Sequence, residues 1–258
     1  MDYYIVDAFT DKVFGGNPAA VFILNTWLDD DLMQKIAVEN NLSETAFAVK
    51  SGTTYEIRWF TPDREIDLCG HATLATAYVL FNYYPVEHTI LEFSSQSGTL
   101  FVEKKEQYYY LNFPSILPKP IEILPEFEQA LGAPVVEAYL ARDLFLVFDN
   151  EVDVRSMTPD FSKLKEFSQG VGVIVTAKST EVDFISRAFY PKLTINEDPV
   201  TGSAHSNLIP YWAEKLQKKE LMAHQVSSRK GILSCQLMND RVLIGGQAVL
   251  YAKGQTFF

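Results

Sequence analysis

The chain has 258 residues, 47% of them hydrophobic, which is enough for two lobes of about 100–150 residues each and gives no reason to expect disorder. Its 22 Lys and Arg against 33 Asp and Glu leave a formal net charge of −11, which argues against a nucleic-acid partner because phosphate binding needs clustered cations; a small anion held by a few aimed N–H groups stays compatible. The two cysteines, Cys69 and Cys235, exclude a secreted disulfide framework and fit a reducing cytoplasm, and no apolar run reaches the ~18 residues of a membrane span.

In chain order, Met1 to Val6 reads as a strand, without the basic and long apolar runs of a signal peptide. Asp30 to Asn40 reads as a helix, with Asp29, Asp30 and Asp31 at its start and Leu32, Met33, Ile36 and Ala37 on its apolar face. Glu44 follows where that helix ends and an apolar strand begins. It is either an exposed turn residue or a carboxylate partly buried among Leu42, Ala46 and Phe47, with a raised pKa suited to proton transfer. Tyr55 to Phe60 reads as a strand that stops at Pro62. Cys69 comes next, either a thiol activated by a helix start or a small buried hydrophobe. Gly70 and His71 open a helix over 72–81 that is apolar nearly all round and is therefore expected to be buried on every side.

Pro114, Pro118, Pro120 and Pro125 mark the stretch 114–125 as a linker between an N-terminal lobe, 1–113, and a C-terminal lobe, 126–258, whose last residues can return to the first. Gly170 to Val175 begins like a dinucleotide fingerprint but lacks the third glycine and opens a strand, not a helix. Val182 to Phe189 is a strand. Asp198 precedes Pro199 as a turn residue or an acid at a second helix start, where Ser203 is an N-cap or a ligand group. The helix runs from about Ser203 to Lys218, with Pro210 expected to kink it or to fix an early turn. His71, His88, His205 and His224 are scattered without metal-ligand spacing to a cysteine, so no metal site is expected.

An internal repeat organises these pieces. Arg58-Trp59-Phe60-Thr61-Pro62 and Arg187-Ala188-Phe189-Tyr190-Pro191 share R-x-F-x-P, at an offset of 187 − 58 = 129; Cys69-Gly70-His71-Ala72 and Thr201-Gly202-Ser203-Ala204 follow at 202 − 70 = 132. The expected fold is α+β: two duplicated lobes, each a mainly antiparallel sheet rolled around a central helix. Two helix starts would then face one another across an interlobe cleft, where the N–H groups of Gly70, His71, Gly202 and Ser203 suit a carboxylate.

At these residues the chain resembles the PhzF-like family of phenazine biosynthesis. The motifs are Gly16-Asn17-Pro18-Ala19, Asn41-Leu42-Ser43-Glu44-Thr45, Phe60-Thr61-Pro62 through Cys69-Gly70-His71-Ala72-Thr73, and Asp198-Pro199-Val200-Thr201-Gly202-Ser203-Ala204. The resemblance implies the diaminopimelate epimerase-like fold, a homodimer and no cofactor. It implies Glu44 as the main acid/base, His71 and Asp198 as catalytic partners, and Gly70, His71, Gly202 and Ser203 as substrate-binding groups. The substrate is expected to be a small carboxylate-bearing metabolite that isomerises by proton transfer. Cys69 departs from the phenazine enzymes proper, so phenazine synthesis is not implied. Two alternatives stay open: an amino-acid racemase or epimerase using Cys69, with Thr201 at the facing position, and a non-catalytic binding protein.

Overall fold

Contacts divide the computed structural model, which describes residues 1–193 and 195–257, into two units: Met1–Phe113 with Leu243–Phe258, and Pro114–Val242. No helix among the described residues is long and apolar enough to cross a membrane.

The first unit runs β1 (Asp2–Ala8), β2 (Asn17–Leu24), α1 (Asp30–Asn40), β3 (Glu44–Ser51), β4 (Thr54–Phe60), β5 (Glu65–Ile66), α2 (Gly70–Tyr83), β6 (Ile90–Ser95), β7 (Gly98–Lys105) and β8 (Tyr108–Pro114). Strand β1 pairs antiparallel with β2, β2 parallel with β3, and β3 antiparallel with β4; β4 pairs antiparallel with β5 and parallel with β6. Helix α2 packs against β1, β2 and β3, and is buried from His71 to Ala77, as its continuous apolar sequence requires. Strand β3 is buried on both faces. Phe47 and Val49 join Met33 and Ile36 of α1 in one cluster. With side chains alternating along the strand, Glu44, Ala46 and Ala48 point to the opposite face, where α2 lies. A slip of one residue would turn Glu44 away from that helix.

The second unit runs β9 (Lys119–Pro120), α3 (Pro125–Leu131), β10 (Glu137–Leu140), β11 (Leu144–Phe148), α4 (Glu151–Ser156), α5 (Phe161–Glu166), β12 (Val173–Lys178), β13 (Phe184–Tyr190), β14 (Ile195–Asp198), α6 (Gly202–Leu216), β15 (Glu220–Gln225) and β16 (Gly231–Leu237); β17 (Arg241–Gly246) belongs to the first unit from Leu243 onward, as does β18 (Ala248–Gln255), which pairs with β1. Its connectivity repeats that of the first unit. Strand β10 pairs antiparallel with β11, β11 parallel with β12, and β12 antiparallel with β13; β13 pairs antiparallel with β14 and parallel with β15.

The repeated R-x-F has one role in both units. Arg58 grips Glu65 of β5 through two bonds of 2.7 Å and lies 5.2 Å over the Phe60 ring. Arg187 grips Glu197 of β14 at 2.7 and 2.9 Å and lies 5.1 Å over Phe189. The flat guanidinium fits a carboxylate edge-on and an aromatic face-on. Both glutamates stand five residues before the glycine that opens the central helix, so each fork ties down the strand leading into that helix.

The proline-rich stretch 114–125 is not a free linker. It lies in the second unit, where β9 pairs with β10 and Pro125 starts α3. Its anchor comes from Pro210. A proline has no N–H, so the Ser206 carbonyl loses its helical donor. Ile116 N–H bonds that carbonyl at 3.0 Å instead, and Asn207 Nδ2 donates to the Ile116 carbonyl at 2.7 Å. The predicted acidic cap of α1 also differs: Asp29 holds the cap position without a side-chain bond, while Asp30 binds Arg58 at 2.8 Å.

Helix α6 is buried from Ala204 to Ala213. Trp212 stacks on Phe184 at 5.7 Å and donates to Thr176 Oγ1 at 2.9 Å. His205, fully buried, has its pKa pushed down to about 4 by desolvation, against a weaker opposing effect of the Thr201 carbonyl. The native state therefore takes up this proton later than the unfolded chain, whose histidine titrates near 6.5. Stability should fall as pH drops from about 6.5 towards 4. Urea unfolding at pH 7 and 4.5 should show a loss about 2–3 kcal/mol smaller in His205→Gln than in the parent. Equal losses would contradict a buried neutral imidazole.

Candidate active site

In the first unit the fold brings Glu44, Cys69 and His71 together. Glu44 begins β3 and His71 is the second residue of α2; they are 8% and 5% exposed, and Glu44 Oε2 lies 3.1 Å from His71 Nε2. The other ring nitrogen, Nδ1, lies 3.2 Å from Asn17 Nδ2 and 3.5 Å from Cys69 Sγ. Asn17 is held in place by its neighbour. Gly16 sits at φ +58°, and a Cβ there would fall 2.0 Å from the Ala8 carbonyl oxygen, so only glycine makes this turn into β2. The Asn17 amide carries both donor and acceptor and can meet either protonation state of Nδ1 by rotating.

Burial alone works against a charged His71. The Cys69 sulfur and the Glu44 carboxylate act the other way and prevail, holding the imidazole well above its ordinary value. The carboxylate is the closer partner within hydrogen-bonding distance, and the Cys69 thiol is itself pushed up, by burial first and then by the Glu44 charge. The activated thiolate considered for Cys69 is therefore not what this environment favours, and the small buried residue is the better description. The donor atoms of Glu44, Cys69 and His71 also lie within 4.8 Å of one another, a carboxylate, thiol and imidazole set able to ligate a metal ion. Spacing in the sequence did not disclose it, because Glu44 comes from a different element than Cys69 and His71.

In the second unit Asp198, Thr201, Gly202 and Ser203 meet at the start of α6. Thr201 is the N-cap residue, and its hydroxyl donates to Asp198 Oδ2 at 2.6 Å. The fully buried Gln225 ties this turn together: its Oε1 accepts from Thr201 N–H at 2.8 Å and its Nε2 donates to the Asp198 carbonyl at 2.8 Å. Ser203 lies inside the helix and is not its cap; its Oγ is 3.4 Å from Arg142 Nη2. Neither Cys69 nor Thr201 caps its helix with a side chain, so the first N–H groups of α2 and α6 remain suited to an anion.

The sequence reading missed Asn17 as a contact of His71, and it missed Gln225. Gln225 left a trace: it follows Leu221 and Ala223 on the buried face of β15, where a polar side chain needs a partner.

The sequence profile of the phenazine biosynthesis-like protein family matches residues 6–254, and the chain belongs to that family. It is 49% identical over 256 residues to an uncharacterized isomerase of Pseudomonas aeruginosa, covering 99% of this chain and 98% of that protein. Among solved structures, a PhzF-family phenazine biosynthesis protein of Enterococcus faecalis is 63% identical, with a TM-score of 0.99 over 100% of this chain and 99% of the other. A hydroxyproline epimerase of Agrobacterium vitis, 11% identical with a TM-score of 0.61 over 98% and 91% of the two chains, shares the fold alone. The α+β architecture is thus the diaminopimelate epimerase-like one, and relatives from Pseudomonas aeruginosa and Halalkalibacterium halodurans are named as isomerases.

If Cys69 is a buried neutral thiol, the native protein should resist iodoacetamide at pH 8. Cys235, also buried and shifted up by desolvation, should resist as well. Mass spectrometry should find both cysteines labelled only after denaturation. Rapid labelling of native Cys69 would contradict this assignment.

Proposed function

We propose that the chain isomerises a small carboxylate-bearing metabolite by moving one proton between two of its carbons, with Glu44 as the proton carrier. The observation that supports this most is the buried contact of 3.1 Å between Glu44 and His71. The Glu44 carboxylate takes a proton from one carbon. The released electron pair shifts the substrate's double bond, and the protonated carboxyl returns the proton to the second carbon. No oxidant or reductant enters, and the enzyme ends as it began. The imidazolium beside Glu44 offsets the charge that changes as the proton comes and goes. Holding such groups in low dielectric makes each more effective than in water.

Each helix start is assigned a carboxylate-binding role within its own unit, Gly70 and His71 N–H groups in α2 and Gly202 and Ser203 N–H groups in α6. Asp198 then orients polar hydrogens of the substrate. Unpaired N–H groups and the helix dipole favour an anion there. The first unit begins its strand with Glu44 and the second begins the corresponding strand with Val173, so the duplication supplies one carboxylate at this position. One carboxylate suits transfer along a single face. A two-base epimerase using Cys69 lacks support, since the thiol is shifted up and the Thr201 hydroxyl is committed to Asp198.

The test is exchange of carbon-bound hydrogen with deuterated water, followed by NMR on cyclic and aliphatic amino and hydroxy acids. Glu44→Gln should lower exchange by about 10²–10⁴-fold while the protein stays folded, and Cys69→Ala should keep it. Exchange that survives Glu44→Gln but stops in Cys69→Ala would replace the isomerase reading with the epimerase one.

A further inference from the structure

Arg142 precedes β11, and nothing in its local sequence, Leu140-Ala141-Arg142-Asp143-Leu144, sets it apart from a charged surface turn. The structure does. Its neighbour Asp143 is only 2% exposed and uses both carboxylate oxygens. Asp143 Oδ1 accepts from Gly172 N–H at 3.0 Å. Oδ2 accepts from Arg142 Nε at 3.2 Å, from Arg142 Nη2 at 2.8 Å and from the Tyr190 hydroxyl at 3.3 Å. The guanidinium also lies 5.8 Å over the Tyr190 ring. Gly172 permits this packing, since a Cβ there would come within 2.3 Å of Tyr190. Burial, together with the charge of Asp143, keeps the tyrosine a neutral donor.

A buried acid, a ring and a glycine thus fix one edge of the guanidinium. The remaining nitrogen, Nη1, is unspent. The Arg142 side chain is 54% exposed, its Nη2 reaches Ser203 Oγ at 3.4 Å, and its Nη1 has no partner among the described residues. A flexible surface arginine needs none of this scaffolding. The scaffold removes the rotamer freedom that a long cation would lose on binding a ligand. The Asp198 carboxylate belongs to the same helix start and would repel an anion approaching Ser203. A fixed positive charge there offsets that repulsion, in a protein of net charge −11.

We propose that Arg142 is a specificity-determining residue that pairs with the substrate's carboxylate beside Ser203. The proposal rests on the isomerase reading for the existence of that carboxylate and adds the side chain that selects it. Asp143 and Tyr190 are positioning residues that act through Arg142.

Benzoate and its neutral analogue benzamide are the probes. Benzoate has no exchangeable proton for Glu44 to move, so its binding reads Arg142 separately from the exchange assay. NMR titration should show the parent protein preferring benzoate over benzamide, with shifts at the Arg142 Nε–H and the Ser203 amide. Arg142→Met should bind benzoate about ten- to a hundred-fold more weakly, the range expected for losing a hydrogen bond to a charged group, with benzamide unaffected. Since Arg142→Met leaves Asp143 buried without its cation and can misfold, the double variant Arg142→Met/Asp143→Asn removes both charges and should show the same selective loss. Unchanged benzoate affinity in either folded variant overturns the proposal, as does a parent protein that fails to distinguish benzoate from benzamide. Loss of exchange in Glu44→Gln with unaltered benzoate selectivity in Arg142→Met would leave the isomerase reading standing and remove this one.

Discussion

A carboxylate and an imidazole are buried together at the start of α2, and the first unit is arranged around making that possible. Neither charge would be stable there alone, because taking an ion out of water costs several kcal/mol. Each makes the other tolerable at 3.1 Å. The pleat of β3 turns Glu44 towards α2. The apolar length of α2 buries its own first turn and carries His71 in with it. The tight turn at Gly16 delivers Asn17 to the far side of the ring. Cys69, small and uncharged, fills space that a larger or ionised residue would disturb.

The duplication explains how one scaffold came to carry two different chemistries. Arg58 with Glu65, and Arg187 with Glu197, secure the lead-in to each central helix by the same fork and the same aromatic contact. Beyond the forks the copies diverge. Where the first unit has Cys69-Gly70-His71, the second has Thr201-Gly202-Ser203. Where β3 begins with Glu44, β12 begins with Val173. The first copy holds a carboxylate–imidazole pair. The second holds hydroxyls, Asp198 and a braced arginine. The constraint shared by both is the glycine-led helix start, whose N–H groups favour anions whatever side chains surround them.

Much of this was legible in the sequence because it is local. A continuous apolar run identified α2, three aspartates and an apolar face identified α1, and R-x-F-x-P repeated ahead of a second glycine-led helix start pointed to the duplication. Glu44, His71, Asp198 and Ser203 stood in short motifs. What stayed hidden depends on contacts between distant segments. Nothing near Pro210 announces that Ile116 will take over the carbonyl of Ser206, so a proline-rich segment read as a linker when it is docked. Arg142 and Ser203 meet across 61 positions, and the Arg-Asp pair resembles any exposed turn until burial of Asp143 is seen. The thiol of Cys69 could be read either way at a helix start; its burial and the nearby Glu44 charge decide the matter, and both are set by the fold.

The central claim is that the Glu44 carboxylate holds His71 in its charged form inside the protein. Nitrogen-15 NMR of the histidine rings reads this directly, and the chain has only four histidines to assign. Across a pH titration of the parent protein, both His71 ring nitrogens should remain protonated at pH 7 and lose the second proton only well above the ordinary histidine value. In Glu44→Gln, where burial acts unopposed by a carboxylate, that titration should move down. A neutral His71 at pH 7 in the parent, or the same titration in both proteins, would contradict the account.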